Sequence, residues 1–193
     1  MTTDAHPKPL GLPRTVRLRT LAVGAAMVLL VLGVYVAASA LFGGDDSNRG
    51  ELKGGSKNNF TLSYPNRWRP LSSKELAKLP GQPLAVVRRK DGKAFVVLRK
   101  EGRAPKNLTS FSGDLTKALD KRIPDFQKRS SKTIKLSGGN AFFYSYIRKS
   151  KGTVHTVVLV PNGKQSYVLN TVSRGGSEDV ARQVARIILS FKT

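Results

Sequence analysis

Apolar residues occur in short runs, separated by turn residues, through the second half of the chain. Two of these runs, at 84–89 and 94–99, lie on either side of the dipeptide Asp91-Gly92. Short runs rich in β-branched residues on both sides of such a dipeptide are typical of a hairpin with a two-residue type I′ turn. The pattern therefore predicts two antiparallel strands joined at Asp91-Gly92.

Three later runs, at 141–148, 153–160 and 165–172, follow one another with short turns between them. Consecutive strands joined by turns of this length predict an antiparallel meander. A fourth run, at 131–136, precedes the glycines at 138–139 and adds another strand.

Helical periodicity occurs in two places. Residues 109–126 carry their apolar side chains on one helical face, although Pro124 limits the last turn. Residues 177–189 repeat apolar side chains at helical spacing, and Ser177 is placed to cap their first turn. A short helical turn is also predicted over 72–79. This order of elements predicts an α+β fold, an antiparallel β-sheet flanked by helices.

An uncharged run over 21–42 precedes this domain. At 1.5 Å per residue it is about 33 Å long, which matches the hydrocarbon thickness of a bilayer. Basic residues come before the run, and Asp45 and Asp46 follow it. The positive-inside rule then predicts a cytoplasmic tail over 1–19, a single transmembrane helix over 20–42 and an extracytoplasmic remainder.

Two alternatives to a retained anchor stay open. The small-x-small sequence Ala38-Ser39-Ala40 suits cleavage of a signal peptide, but the apolar run is longer than a usual signal core. A buried core helix would show a polar stripe, which this run lacks. Glycine, serine and charged residues then predict a flexible linker over 43–57, and the folded domain is predicted over 58–193.

The folded region opens with FTLSYPNRW at 60–68, which has the form F-x-x-x-Y-P-x-x-W. This opening resembles the start of PsbP-like domains, named for the extrinsic photosystem II subunit, and of the related Ran-binding nuclear protein. The small-residue turn before 141–146 and the closing ILSF at 188–191 are similar to the same family. The resemblance covers about residues 58–193. Independently of it, the aromatic residues Phe60, Tyr64 and Trp68 are expected to fill the core.

The resemblance implies an α/β/α sandwich and a binding or scaffolding role without catalysis. Anchored domains of this kind are typical of Gram-positive bacteria, and this chain resembles one of them. No cofactor-retention residue of the photosystem subunit maps onto this sequence. The Ran-binding surface of the nuclear relative is acidic, whereas this domain is basic, so the resemblance does not extend to that partner.

The amino-acid composition limits the catalytic and metal-binding chemistry that the chain can carry out. The chain of 193 residues has no cysteine, which excludes disulfides, thiolate metal sites and cysteine nucleophiles. It has two histidines, His6 and His155, and a lone histidine within a strand is more often packed or on the surface than catalytic. We therefore expect no cofactor, no metal and no enzymatic activity.

The net charge is +22, and 30 basic against 11 acidic residues follow position 42. Such a charge attracts polyanions over a long range, although a hydrated basic surface is the simpler interpretation. Several basic clusters lie near predicted strand ends and turns. The candidate polyanion-binding residues are Arg88, Arg89, Lys90, Lys93, Arg99, Lys100, Arg103, Lys128, Arg129, Lys132, Arg148, Lys149 and Lys151.

These observations predict a single-pass, membrane-anchored, non-catalytic binding or scaffold domain of the cell envelope. Its basic surface would contact anionic lipid headgroups, wall polymers or a protein partner. Nucleic-acid binding is the alternative, because basic domains commonly bind it, but the predicted location and the lack of a recognition motif count against it. An envelope enzyme has the least support.

Overall fold

The structure, a computed structural model, describes residues 49–55 and 58–193. These residues form strands, helices and one 3-10 turn (Lys149–Lys151). The strands are β1 (Arg49–Lys53), β2 (Thr61–Pro65), β3 (Trp68–Pro70), β4 (Ala85–Arg89), β5 (Ala94–Glu101), β6 (Phe126–Leu136), β7 (Gly139–Arg148), β8 (Thr153–Asn162) and β9 (Gln165–Arg174). The helices are α1 (Ser73–Leu76), α2 (Leu108–Asp120) and α3 (Glu178–Leu189).

Seven strands form one sheet in the order β3-β4-β5-β9-β8-β7-β6, and every neighbouring pair in it is antiparallel. The β7–β8–β9 meander agrees with the prediction. The pairing of β5 with β9 joins this meander to the β4–β5 hairpin. The predicted antiparallel sheet with helices is thus confirmed.

The β4–β5 turn differs from the predicted two-residue turn. It contains four residues, 90–93, and the Gly92 amide donates to the Arg89 carbonyl at 2.9 Å. Gly92 has a φ of +71°, whereas Asp91 has no positive φ. A type I′ turn needs positive φ at both central residues. The Asp91 side chain instead accepts a hydrogen bond from the Lys93 amide at 2.9 Å, which stabilises the longer turn.

Strand β6 begins at Phe126, five residues before the predicted start. Helix α2 ends at Asp120, so Phe126 lies on a strand and not on the predicted helical face. Its ring packs 5.1 Å from that of Tyr146. As expected, the helix ends before Pro124, because proline cannot donate the amide hydrogen bond of a helix interior.

A separate pair of strands, β1 and β2, corrects the predicted linker. Residues 49–53 were expected to belong to a flexible segment, but they pair antiparallel with β2 from Arg49–Pro65 to Lys53–Thr61. Leu52 packs against the buried core. A Cβ atom on Gly50 would overlap the Tyr64 ring, so glycine allows the ring to lie across β1. Residues 49–53 of the predicted linker therefore belong to the folded domain.

The sheet separates two apolar cores. On one side, which we call the α3 face, helix α3, β2 and the C-terminal Phe191 cover the sheet. Phe60 and Trp68 are buried here, as predicted, and Tyr64 is partly buried against them. On the other side, the α2 face, helix α2 covers aromatic residues of β7. The result is a sheet between two helical layers.

The predicted bounds of α3 are close to those observed, but the predicted cap is not formed. Ser177 precedes α3, but its side chain makes no capping hydrogen bond. The acidic Glu178 and Asp179 occupy the first turn instead, where they interact favourably with the helix dipole. Ser72 forms a capping box with Glu75 at α1.

Among the described residues, no helix is both long enough and apolar enough to span a bilayer. The predicted transmembrane segment, 20–42, and the tail, 1–19, lie outside the described residues.

Candidate functional site

The described chain starts at one end of the sheet, which we call the entry end. Arg49 pairs with Pro65, and the turn at 66–67 follows directly. The carbonyl of Arg67 in that turn accepts a hydrogen bond from the Lys90 amide at 2.8 Å. The first described residue is therefore close to the β4–β5 turn.

Three other connections reach the same end. The Arg174 amide donates to the Lys93 carbonyl at 2.8 Å, which places the β9–α3 connection beside the β4–β5 turn. The Gly175 amide donates to Gly152 of the β7–β8 turn at 3.4 Å. The Lys149 amide donates to the Asp125 carbonyl at 3.3 Å, so the α2–β6 connection lies there too. Five chain segments thus meet at the entry end.

The exposed cations of these segments form what we call the entry-end surface. They are Arg67, Lys90, Lys93, Lys121, Arg122, Lys149, Lys151 and Arg174. Two acidic residues occur in the same segments. Asp91 pairs with Arg89 at 3.1 Å and Asp125 pairs with Arg148 at 3.0 Å, so both carboxylates already interact with strand arginines.

The structure brings seven of the predicted polyanion-binding residues to this end, but not in equal roles. They are Arg88, Arg89, Lys90, Lys93, Arg148, Lys149 and Lys151. The side chain of Arg89 is only 12% exposed and also contacts Asp179 at 3.4 Å. That of Arg148 is 23% exposed and bound to Asp125. These two guanidinium groups are occupied by internal ion pairs. The exposed cations remain for an anionic ligand, except that Arg67 also lies 3.9 Å from a carboxylate oxygen of Asp179.

Three other predicted residues lie toward the opposite end of the sheet. Arg99 donates to the Pro80 carbonyl at 2.9 Å, and Lys100 pairs in register with Tyr167 near the start of β9. Arg103 is exposed in the connection that follows β5. The structure therefore does not unite these residues with the entry-end surface.

The last three predicted residues belong to β6, an edge strand. Lys128 lies over the Tyr144 ring at 5.6 Å on the α2 face, and Lys132 lies over the Phe143 ring at 5.8 Å on the α3 face. Arg129 is at a β-bulge between them. The bulge is the reason that two lysines four residues apart can lie on opposite faces.

Sequence reasoning omitted Arg67, Arg174, Lys121 and Arg122 from the candidate site. Lys121 and Arg122 form a basic pair within the helix predicted over 109–126, whereas Arg67 and Arg174 have no basic residue directly beside them in the sequence. The residues that surround all four at the entry end come from distant parts of the chain.

Asp125 fixes the shape of the β7–β8 turn. Its carboxylate accepts hydrogen bonds from the hydroxyl of Ser150, from the Ser150 amide at 3.1 Å and from Arg148 Nε at 3.0 Å. The hydrogen bond from the Ser150 hydroxyl, with help from the Arg148 charge, lowers the pKa of Asp125 to about 2. The carboxylate therefore holds Lys149 and Lys151 in place at neutral pH.

His155 lies in the interior below this end, on the α2 face. It is 4% exposed, its ring stacks on Tyr146 with centroids 4.3 Å apart, and its Nε2 is 3.0 Å from the Thr153 hydroxyl. Burial, together with the positive charge of Arg148, holds the pKa of His155 well below its ordinary value. The ring is thus neutral and packed, in line with the simpler interpretation of a lone strand histidine.

In the part of the chain that the structure describes, the other polar side chains form no cluster suited to metal binding. Within residues 49–55 and 58–193, no group of three histidine or carboxylate side chains is close enough to hold a metal ion.

Two tyrosines are buried on the α2 face. Burial raises the pKa of Tyr146 and of Tyr144, and a 2.8 Å hydrogen bond joins the hydroxyls of Tyr144 and Thr116. These tyrosines are protonated core residues.

Comparisons with known proteins support the fold but identify no family and no function. No family model matches the sequence, and no curated protein matches it. Among solved structures, the cyanobacterial PsbP protein CyanoP of Synechocystis sp. PCC 6803 superimposes with a TM-score of 0.55 at 12% identity. The match covers 78% of this chain and 95% of CyanoP.

The Ran-binding protein Mog1p of Saccharomyces cerevisiae superimposes with a TM-score of 0.52 at 12% identity, over 75% of this chain and 95% of its own. LpqN of Mycobacterium tuberculosis, described as involved in cell envelope biogenesis, is 18% identical over 73% of this chain and 87% of its own. Its TM-score of 0.40 is too low to carry an argument. The antiparallel sheet and its helices therefore match the PsbP-like fold.

Proposed function

We propose that this chain is a membrane-anchored, non-catalytic binding domain of the cell envelope whose entry-end surface contacts anionic lipid headgroups. The proposal rests on one observation, that the chain enters the domain at the end where the exposed cations meet. An anchor on the N-terminal side would bring this end to the bilayer. The packed, neutral state of His155 favours binding over acid–base catalysis.

The length of the connection supports this orientation. Six residues, 43–48, separate the predicted membrane segment from β1. Fully extended, the chain from Phe42 to Arg49 reaches about 25 Å. The predicted linker of 43–57 would have allowed a wider range of positions. With β1 paired to β2, the proposed tether is shorter, which would keep the entry end near the headgroups.

The charge of the surface suits such a contact. Each lysine or arginine near an anionic membrane contributes about 1 kcal/mol, and the attraction falls off within a Debye length of about 8 Å at physiological salt. The surface carries eight exposed cations, of which Arg67 also pairs with Asp179 at 3.9 Å, and the two acids of its segments are paired internally. The contact should therefore depend on close approach and on ionic strength.

The test is co-sedimentation of residues 49–193 with vesicles of phosphatidylglycerol and phosphatidylcholine, compared with phosphatidylcholine alone. We expect binding to the anionic vesicles that weakens as salt rises. The variant Lys149→Glu/Lys151→Glu should bind at least about tenfold more weakly, because it reverses two cations at the surface. The matched control is Arg103→Glu/Lys106→Glu, which makes the same charge change at the opposite end.

Equal loss of binding in both variants would show that net charge alone, and not the entry-end surface, governs the contact. Absence of binding to anionic vesicles, with retention on purified cell-wall polymer, would replace lipid by wall polymer as the ligand.

A further inference from the structure

The two edges of the seven-stranded sheet differ in length and in exposure. At one edge, β3 has three residues and leads directly into α1. At the other edge, β6 has eleven residues and pairs with β7 on one side only. Within the described part of the chain, no strand pairs with the outer side of β6. A strand that is paired on one side presents backbone amides and carbonyls on the other.

The charge of β6 has one sign. Its sequence, FQKRSSKTIKL, contains four cations and no acid. A second copy of the strand would place like charges opposite one another, which is unfavourable. The lysines and the bulge at Arg129 therefore discourage self-association. They do not oppose a strand that carries acidic side chains.

The segment after the bulge has the regular geometry that a further strand needs. Residues 130–136 pair without interruption with β7, from Ser130–Ser145 to Leu136–Gly139. Lys132 lies on the α3 face and Lys135, three positions later, lies on the α2 face. An incoming strand would thus meet a cation on each of its faces. Thr133 and Ile134, between these lysines, are β-branched residues that favour the extended conformation of β6 itself.

We propose that residues 130–136 of β6 bind an extended acidic segment of a partner protein, which adds to the sheet as an eighth strand. Backbone hydrogen bonds along β6 supply affinity, and Lys132 and Lys135 select acidic side chains. This inference is independent of lipid binding, because β6 is an edge strand and not one of the five segments of the entry-end surface.

The probe is a synthetic peptide as long as residues 130–136 in which pairs of glutamates alternate with pairs of valines, in the order EEVVEEV. In an antiparallel alignment this order places glutamate on both faces, opposite Lys135 and opposite Lys132. The protein is the full chain in nanodiscs of neutral phosphatidylcholine, so that anionic lipid does not compete. A matched acidic peptide carries proline at its central valine, because proline removes a ladder hydrogen bond. Fluorescence anisotropy measures affinity, and hydrogen exchange locates the protected amides.

We expect the alternating peptide to bind and to slow amide exchange within residues 130–136. The proline peptide should bind about tenfold more weakly, since it has the same charge but cannot complete the strand. Lys132→Glu/Lys135→Glu should also weaken binding about tenfold, from opposite-charge cross-strand pairs worth up to about 1 kcal/mol each. The control Lys106→Glu/Lys164→Glu changes charge equally away from β6 and should leave affinity within about a factor of two.

Equal binding of the two peptides would overturn the proposal, because charge alone would explain it. Protection outside β6, or no binding of the alternating peptide to the unmodified chain, would overturn it as well. Both results come from the unmodified protein, so they hold even if the Lys132 variant loses stability with its contact to Phe143.

Discussion

The indole Nε1 of Trp68 donates a 2.7 Å hydrogen bond to Oε1 of Gln183, across 115 positions of sequence. Both side chains are buried, at 2% and 9% exposure. The Gln183 amide nitrogen in turn donates to both carboxylate oxygens of Asp179 at 3.0 Å, and Asp179 pairs with Arg89. This chain of contacts joins the short edge strand β3 and the end of β4 to the first half of α3.

Replacing Gln183 by methionine should destabilise the domain by about 1–3 kcal/mol, because the Trp68 indole nitrogen would be left without an acceptor in the core. The change keeps a side chain of similar size, so little of this loss would come from a cavity. Chemical denaturation followed by circular dichroism measures it.

The control for this prediction is the same change made together with Trp68→Phe, which removes the donor. If the hydrogen bond carries the effect, Gln183→Met should cost clearly less in the Trp68→Phe background. An equal cost in both backgrounds would contradict the assignment.

The sequence predicted the elements that depend on local pattern. The hairpins and both long helices follow from runs and periodicity within about twenty residues. Strand β1 was missed because RGELK is polar and has one apolar side chain facing the core, Leu52. It becomes a strand only by pairing with β2, and Gly50 of β1 leaves room for the Tyr64 ring of β2. No local signal in residues 49–53 shows that partner.

The candidate site was predicted as clusters of cations but not as a surface. Long-range pairing decides which clusters meet. The β5–β9 pairing carries Lys93 to Arg174, and Asp179 neutralises Arg89 from 90 positions away. Sequence periodicity predicts neither of these contacts. Only the folded structure shows which cations are paired with acids and which are exposed.

A fragment that begins at residue 58 should be less stable than one that begins at residue 49. Removing β1 deletes Leu52 from the core, exposes part of Tyr64 and frees one side of β2. Loss of one partly buried leucine alone corresponds to about 1–2 kcal/mol. Denaturation of the two fragments under the same conditions measures the difference. Identical stabilities would show that β1 contributes nothing to the core and would restore the linker interpretation.

Acid should destabilise the β7–β8 turn through Asp125. Its pKa in the folded protein is about 2, below its usual 3.8. Because the folded value is the lower one, the ionised carboxylate stabilises the fold above about pH 4, and this contribution is lost as the pH falls toward 2. Asp125→Asn should lower stability at pH 6 and flatten the acid dependence of the melting temperature between pH 4 and about 2. Asp114→Asn, on an exposed helix position, is the control and should change neither.

A second acid dependence should arise at milder pH from His155. It is the only histidine in the fragment 49–193, because His6 is removed. Burial lowers the pKa of His155 from its ordinary 6.5, so the folded protein keeps the ring neutral while the unfolded chain binds a proton. Above about pH 6.5 the ring is neutral in both states and this linkage has no effect. Below it the unfolded chain takes up the proton, so the stability of the fold declines as the pH falls.

One extra proton in the unfolded state corresponds to a slope that approaches about 1.4 kcal/mol per pH unit. Urea denaturation of the fragment between pH 7 and about pH 5 should show this slope, and His155→Phe, which keeps a ring against Tyr146, should remove it. Most carboxylates titrate below this range and should add little slope in the variant. Glu101, whose pKa burial raises, would add a dependence of the opposite sign, with stability rising as the pH falls. A slope that persists in His155→Phe would mean that another group takes up the proton, and a flat profile in the unmodified fragment would mean that the folded protein admits the charged ring.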